Sequence, residues 1–240
     1  MLNSFLDWVY PPACNSCGML ISINERERFF CVHCEELFEA IEEPFCEICG
    51  VPSSNMGKKC ASCAGKKFFF EKNFSAFTYE ELIRDLLLKM KFGGKKRIAM
   101  GLGKLWAAKL CTKTLFMENS FLLPMPMHRK KQRERGFNQA EIMTIPLSKA
   151  LGIPISDALI RTVDTVPQSE VHFSQRVENV QDIFSIRRGE GVFGKNFILT
   201  DDIFTTGASL NECARTLKNA GASRVSCMTF AISVKNNSKP

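Results

Sequence analysis

No run of about 18 apolar residues occurs anywhere in the 240-residue chain, so no membrane-spanning helix is expected. Its first residues, MLNSFLDWVYPPAC, lack a basic start, a long apolar stretch and a small-residue cleavage site. They read as mature cytoplasmic protein, which leaves recruitment to the inner face of the membrane as the one membrane association open to it. No internal repeat appears beyond a duplicated pattern of cysteine pairs, and no base-reading motif is present. With 45% hydrophobic and 24% charged residues, the chain has an ordinary globular composition, long enough for one good core and a smaller module.

Cysteine is abundant, at 11 residues. Eight fall in four Cys-x-x-Cys pairs: Cys14/Cys17, Cys31/Cys34, Cys46/Cys49 and Cys60/Cys63. Cys111, Cys213 and Cys227 stand alone among apolar residues and read as small core side chains. A reducing compartment disfavours disulfides, while thiolates two residues apart suit tetrahedral zinc. The intervals of 13, 11 and 10 residues between pairs let a hairpin join two knuckles. The simplest pairing puts Cys14, Cys17, Cys31 and Cys34 on one zinc and Cys46, Cys49, Cys60 and Cys63 on the other, with an interleaved arrangement as the alternative. Each set opens with Cys-x-x-Cys-Gly, as in a double zinc ribbon. Four cysteines leave no open coordination position, so both sites are structural, and His33 is a bystander. Without metal, so small a module has almost no core to fold around.

Residues 1–66 are therefore expected to form the zinc module and 67–240 an α/β domain. Phe5 to Val9 suit a short helix stopped by Pro11 and Pro12. Leu82, Ile83, Leu86, Leu87 and Met90 mark a helix face ending near Gly93-Gly94, and Ile98 to Leu115 a second helix. Phe121 to Leu123 is a buried strand. A helix begins near Asn138, with Pro146 implying a kink or an early stop. Residues 161–191 read mostly as a long loop, with a strand at Phe184 to Ile186. Phe197 to Thr200, Leu210 to Ala220 and Val225 to Ile232 read as strand, helix and strand, which implies a parallel sheet.

The segment FILTDDIFTTGAS carries the clearest chemistry. A strand delivers Asp201 and Asp202 to its C-terminal edge, where ligands bind in open α/β sheets. Thr205, Thr206, Gly207, Ala208 and Ser209 then form a hydroxyl-rich turn at a helix start, where free N–H groups and the helix dipole favour phosphate. Gly207 permits the turn and close approach of the backbone. One end suits a phosphate and the other a vicinal diol. The plainer alternative is that Thr205 or Thr206 caps a helix and the acids lie on a solvated turn.

Charge is distributed unevenly. The formal net charge of +7 falls to about +3 if two zinc ions each bind four thiolates. Between Arg84 and Arg135 there are 14 Lys/Arg against 3 acids, so the excess is local. Lys89, Lys91, Lys95, Lys96 and Arg97 form one cluster, and Arg129, Lys130, Lys131, Arg133 and Arg135 another. The first reads either as a solvated helix face or as a nucleic-acid track, with Phe92 or Phe137 stacking on bases.

FILTDDIFTTGAS resembles the phosphoribosyl-diphosphate signature of type I phosphoribosyltransferases, departing only at Thr200, where an apolar residue is commoner. PMPMHRKKQRERGFNQAE (Pro124 to Glu141), RTVDTVPQ with RVENVQDIF (Arg161 to Phe184), Lys91-Phe92-Gly93-Gly94 and the cysteine pairs resemble the ComF family of competence proteins for DNA uptake. The resemblance implies a type I phosphoribosyltransferase-like parallel sheet flanked by helices and preceded by a double zinc ribbon. It implies that Asp201 and Asp202, the candidate catalytic pair, bind ribose hydroxyls, and that Thr205 to Ser209 cradle a 5-phosphate. Arg129, Arg133 and Arg135 would face a diphosphate with Mg²⁺, and 161–184 would be a loop closing over the site, with Arg176 contributing. It further implies single-stranded DNA as a partner, along with DNA-uptake proteins such as a helicase or a translocation channel. No pocket for a nucleobase or other acceptor is legible. Catalysis of phosphoribosyl transfer, in salvage or cofactor metabolism, and ligand sensing are the alternatives.

Overall fold

The computed structural model describes residues 11–22, 25, 27–53, 59–110, 119–163 and 182–234. The helix expected at Phe5 to Val9, Cys111, and most of the 161–184 segment with Arg176 lie outside them. The cysteine-rich region contributes a short helix, α1 (Val32–Glu36), and the α/β region opens with β1 (Asn73–Thr78). Next come α2 (Glu81–Phe92), α3 (Lys96–Leu110), β2 (Ser120–Pro124), α4 (Arg129–Arg135) and α5 (Gln139–Leu151). The chain continues through β3 (Leu159–Arg161), β4 (Phe184–Ile186), β5 (Asn196–Phe204), α6 (Ala208–Asn219) and β6 (Arg224–Ile232).

Among the described residues, four strands form a parallel sheet in the order β1-β6-β5-β2. Helices cover both faces, which is why β6 reads as a nearly continuous apolar run: every residue after Arg224 is buried. On one face, Trp106 of α3 is fully buried and meets Phe230 edge-on at 6.3 Å. Phe30 and Phe38 of the cysteine-rich region join that core. On the other face, Leu210, Cys213, Ala214 and Leu217 of α6 pack with Cys46, Cys49 and Cys63. Each half of the cysteine-rich region is thus built into one of the two cores.

Several elements differ from their sequence reading. Helix α5 runs unbroken through Pro146 to Leu151. The proline removes one backbone donor, while Met143 and Leu147 on either side are wholly buried and hold the helix in place. The backbones of α3 and α5 nearly touch, since a Cβ on Gly103 would lie 2.6 Å from the Met143 carbonyl oxygen. Strand β5 extends beyond Thr200 to Phe204, so both acids lie within it. Strand β4 falls at Phe184–Ile186 as expected, and the element not expected is β3, which pairs with it antiparallel.

Candidate functional site

The crevice at the site arises from unequal strand lengths. Strand β2 ends at Pro124, opposite Thr200, and Met125 N–H makes a last bond to the Thr200 carbonyl at 2.8 Å. Proline at 124 and 126 cannot continue the ladder. Beyond that point, among the described residues, β5 keeps β6 alone beside it, with Asp201 opposite Thr229 and Phe204 opposite Ile232. Asn138 fixes the facing wall: its Nδ2 donates to the Met125 carbonyl and to Glu141, and its Oδ1 accepts from Ala140 N–H at the start of α5. Thr200, the polar residue in an otherwise apolar run, is wholly buried, with its hydroxyl 2.7 Å from that of Thr144. Thr144 donates to the Ala140 carbonyl, so Thr200 is the donor in this strand-to-helix bond.

The two acids are not equivalent. Asp202 is buried and its Oδ2 lies 2.5 Å from Lys91 Nζ. Burial works to raise the Asp202 carboxyl, but the Lys91 ammonium outweighs it and holds the group below its ordinary range. Burial likewise opposes the charge on Lys91, and Asp202 more than compensates, raising it. Asp201 accepts a hydrogen bond from Asp202 N–H at 2.8 Å. Burial, and then the neighbouring Asp202 charge, push its carboxyl well above the ordinary range. The site thus holds one ionised and one protonation-prone carboxyl. Arg135 is drawn down by burial and feels Asp202, and its Nη1 donates to Gln139 at 2.6 Å. Arg129 and Arg133 lie exposed on the same short helix.

Lys91 stands apart from the rest of the first basic cluster, because the helix turns it toward Asp202. It follows Leu87 by four residues and shares the buried stripe of α2. That spacing was the available signal.

At the far end of β5, Gly207 has φ +75, and a Cβ there would lie 2.5 Å from Phe204 Cζ. Only glycine fits this turn. Helix α6 starts at Ala208, whose N–H donates to the Thr206 hydroxyl at 3.3 Å. Gly207 itself occupies the cap position and offers no side chain, so Thr206 receives this first helical N–H from one residue outside the cap. Thr205 is exposed, and Thr206, Ala208 and Ser209 are half-buried around that helix start.

Three of the remaining cations of the first cluster lie beside the first knuckle. Lys89, Lys95 and Arg97 line a polar cavity of about 600 Å³ with Asn15, Ser16 and Cys17. Phe92 is 82% exposed. Phe137 is buried, with Lys96 over its ring at 5.9 Å, so it offers no free face to a base. Arg97 and Lys104 flank Phe29, at 5.2 and 5.0 Å from its ring centre.

The eight paired cysteines gather as Cys14, Cys17, Cys31 and Cys34, and as Cys46, Cys49, Cys60 and Cys63, with ligand atoms within 4.8 Å in each group. Neighbouring pairs therefore meet, and the interleaved arrangement is not adopted. A tetrahedron with Zn–S bonds of about 2.3 Å has edges of about 3.8 Å. Cys17 and Cys31 sulfurs stand 3.8 Å apart and Cys49 and Cys60 sulfurs 3.7 Å, so both groups fit zinc. Burial raises the Cys14 and Cys46 thiols, but backbone N–H donors prevail and bring them to about 6 and about 7. Asn73 ties the second group to the sheet, its Nδ2 donating to the Cys49 carbonyl at 2.8 Å and to Ser75.

Residues 5–64 match the double zinc ribbon domain and residues 138–240 the phosphoribosyl transferase domain. The class is a zinc-ribbon protein with a phosphoribosyltransferase-type α/β domain. Over most of its length the chain is similar to proteins named for competence and DNA utilization. Competence protein ComFC of Bacillus subtilis is 29% identical over 207 residues, covering 83% of this chain and 82% of that protein. Competence protein F of Haemophilus influenzae is 26% identical over 200 residues, covering 81% and 86%. The DNA utilization protein YhgH of Escherichia coli is 26% identical over 189 residues, covering 77% and 82%.

Proposed function

We propose that the chain is a cytoplasmic competence factor that handles incoming single-stranded DNA and binds phosphoribosyl diphosphate in the crevice beside β5. The observation that carries this reading is the placement of α2 between the two sites. Its Lys89 lines the basic cavity beside the first knuckles, while Lys91, two residues on, pairs with Asp202. The ribose hydroxyls would meet Asp201 and Asp202, the 5-phosphate the turn from Thr205 to Ser209, and the diphosphate Arg135 and Lys91. Mg²⁺ arriving with the diphosphate would neutralise its oxygens. The names of the relatives support the DNA-uptake role and suggest partners in the uptake machinery.

The DNA part is tested by fluorescence anisotropy with a single-stranded oligonucleotide across a salt series. A Lys95→Gln/Lys96→Gln/Arg97→Gln variant is expected to bind more weakly at matched salt. Its salt slope should fall by about 2, from three lost phosphate contacts at about 0.7 each. Unchanged affinity removes the track.

A transferase reading is favoured by one observation: Lys91 and Arg135 both act on Asp202, so cations stand where a departing diphosphate would gather charge. Breaking the C1–oxygen bond passes the ribosyl group to an acceptor and leaves diphosphate. Diphosphate release that requires Mg²⁺, an added acceptor and Asp202 would establish it, and no turnover across bases and amines would return the site to a binding role.

A further inference from the structure

A cavity of about 830 Å³ lies between the second cysteine group and the C-terminal ends of β5 and β6. Its volume falls in the range of small-molecule sites. Phe68 and Val234 line it on the apolar side, Lys59 and Lys66 supply cations, and Thr205 and Thr206 supply hydroxyls. Among the described lining residues Glu42 is the one carboxylic acid, and Cys49, Cys60 and Cys63, three ligands of the second cysteine group, line it as well. The aromatic wall is built in depth: Phe68 stacks against Phe70 at 5.0 Å, and Phe70 meets Phe204 edge-on at 6.3 Å. Phe68, half-buried, is the outermost ring of that ladder.

Asp201, Asp202, Lys91 and Arg135 do not line this cavity. It adjoins the phosphate end of the crevice, away from the acid pair, and a group attacking a ribose C1 would not sit there. The lining instead pairs an aromatic face with two cations and several hydroxyls. Ring stacking is tolerant of base identity, and lysine ammonium groups bind phosphate as point charges.

We propose that this cavity is a nucleotide site, with the base against Phe68 and the phosphate between Lys59 and Lys66. It is separate from the phosphoribosyl crevice but shares the Thr205-Thr206 wall with it. The site overlaps the phosphoribosyl reading at Thr205 and Thr206 alone, because none of the residues that hold its base and phosphate belongs to the acid pair or the basic helix α4.

Calorimetric titration of the full zinc-loaded chain with thymidine 5′-phosphate tests it. This nucleotide lacks the 2′-hydroxyl that an acid pair reading a vicinal diol requires. Saturable binding to the wild type is expected, weakened at least tenfold in Lys59→Gln/Lys66→Gln and in the cavity-filling Val234→Trp. Asp201→Ala/Asp202→Ala should retain the thymidine phosphate, and Val234→Trp should retain phosphoribosyl diphosphate. Absence of binding by the wild type, or unchanged affinity in both cavity variants, overturns the proposal. So does loss of the nucleotide in the Asp variant, which would put it in the crevice. A loss in Lys59→Gln/Lys66→Gln that tracks zinc content, with Val234→Trp binding normally, also overturns it, because the lysines would then serve the thiolates.

Discussion

Lys91 Nζ lies 2.5 Å from Asp202 Oδ2, joining the last turn of α2 to the acids of β5. Breaking such a buried pair leaves the other charge without a partner, which typically costs about 3–5 kcal/mol. Lys91 keeps 24% of its side chain exposed, so Lys91→Met is expected near the lower end of that range. Urea unfolding measures it. Lys91→Arg should recover part of the loss, whereas equal stability of Lys91→Met and the wild type would show that the pair does not hold in solution.

The acids should respond to pH with opposite signs. Asp202 has a lowered folded value, so its contribution is present above the ordinary value of 3.8 and is lost as pH falls through the folded value. Asp201 has a raised folded value, so its contribution is present below 3.8 and is lost as pH rises through the folded value. Asp201→Asn, which mimics the neutral acid, is therefore expected to preserve or raise stability at pH 7. Asp202→Asn should lower it by leaving Lys91 unpaired. Denaturant midpoints of the two variants in one buffer decide this, and equal losses would refute the assignment.

Gly207→Ala should damage both stability and ligand binding. A left-handed backbone costs an L-residue about 1–2 kcal/mol, and here the new Cβ also meets the buried Phe204 ring. A lower melting temperature with loss of phosphoribosyl diphosphate binding is expected. Normal binding by this variant would move the phosphate out of the Thr205 to Ser209 turn.

Zinc should be both stoichiometric and divisible. Elemental analysis is expected to find two ions per chain, one for each cysteine group. Cys60→Ser should remove one of them. It should also lower the melting temperature of the α/β domain, because Cys46, Cys49 and Cys63 belong to its core and Asn73 bonds the Cys49 carbonyl. Retention of both ions, or loss of both, would contradict two independent sites.

Much of this architecture is legible in the sequence where one force dominates. The run from Phe197 to Ile232 reads correctly as strand, helix and strand because the sheet is buried on both faces. Cysteine spacing alone identifies the zinc groups, although only the folded chain settles which pairs meet. Other features are hidden for physical reasons. Helix α4, RKKQRER, buries no residue, so it has no apolar periodicity to detect. Strand β1 contains buried Asn73 and Ser75, polar residues that interrupt an apolar pattern. They are tolerated because Asn73 bonds the Cys49 carbonyl and Ser75 bonds Thr229. The acids read as a pair, but their inequality depends on Lys91, which is distant in sequence and carries no mark beyond its place on the buried face of α2.

The most direct test of the central claim is isothermal titration of phosphoribosyl diphosphate with Mg²⁺ into the wild type and Asp201→Ala/Asp202→Ala. Saturable binding by the wild type, lost or at least tenfold weaker in the variant, is the expected result. No binding by the wild type, or equal binding by both, would contradict a phosphoribosyl site at β5.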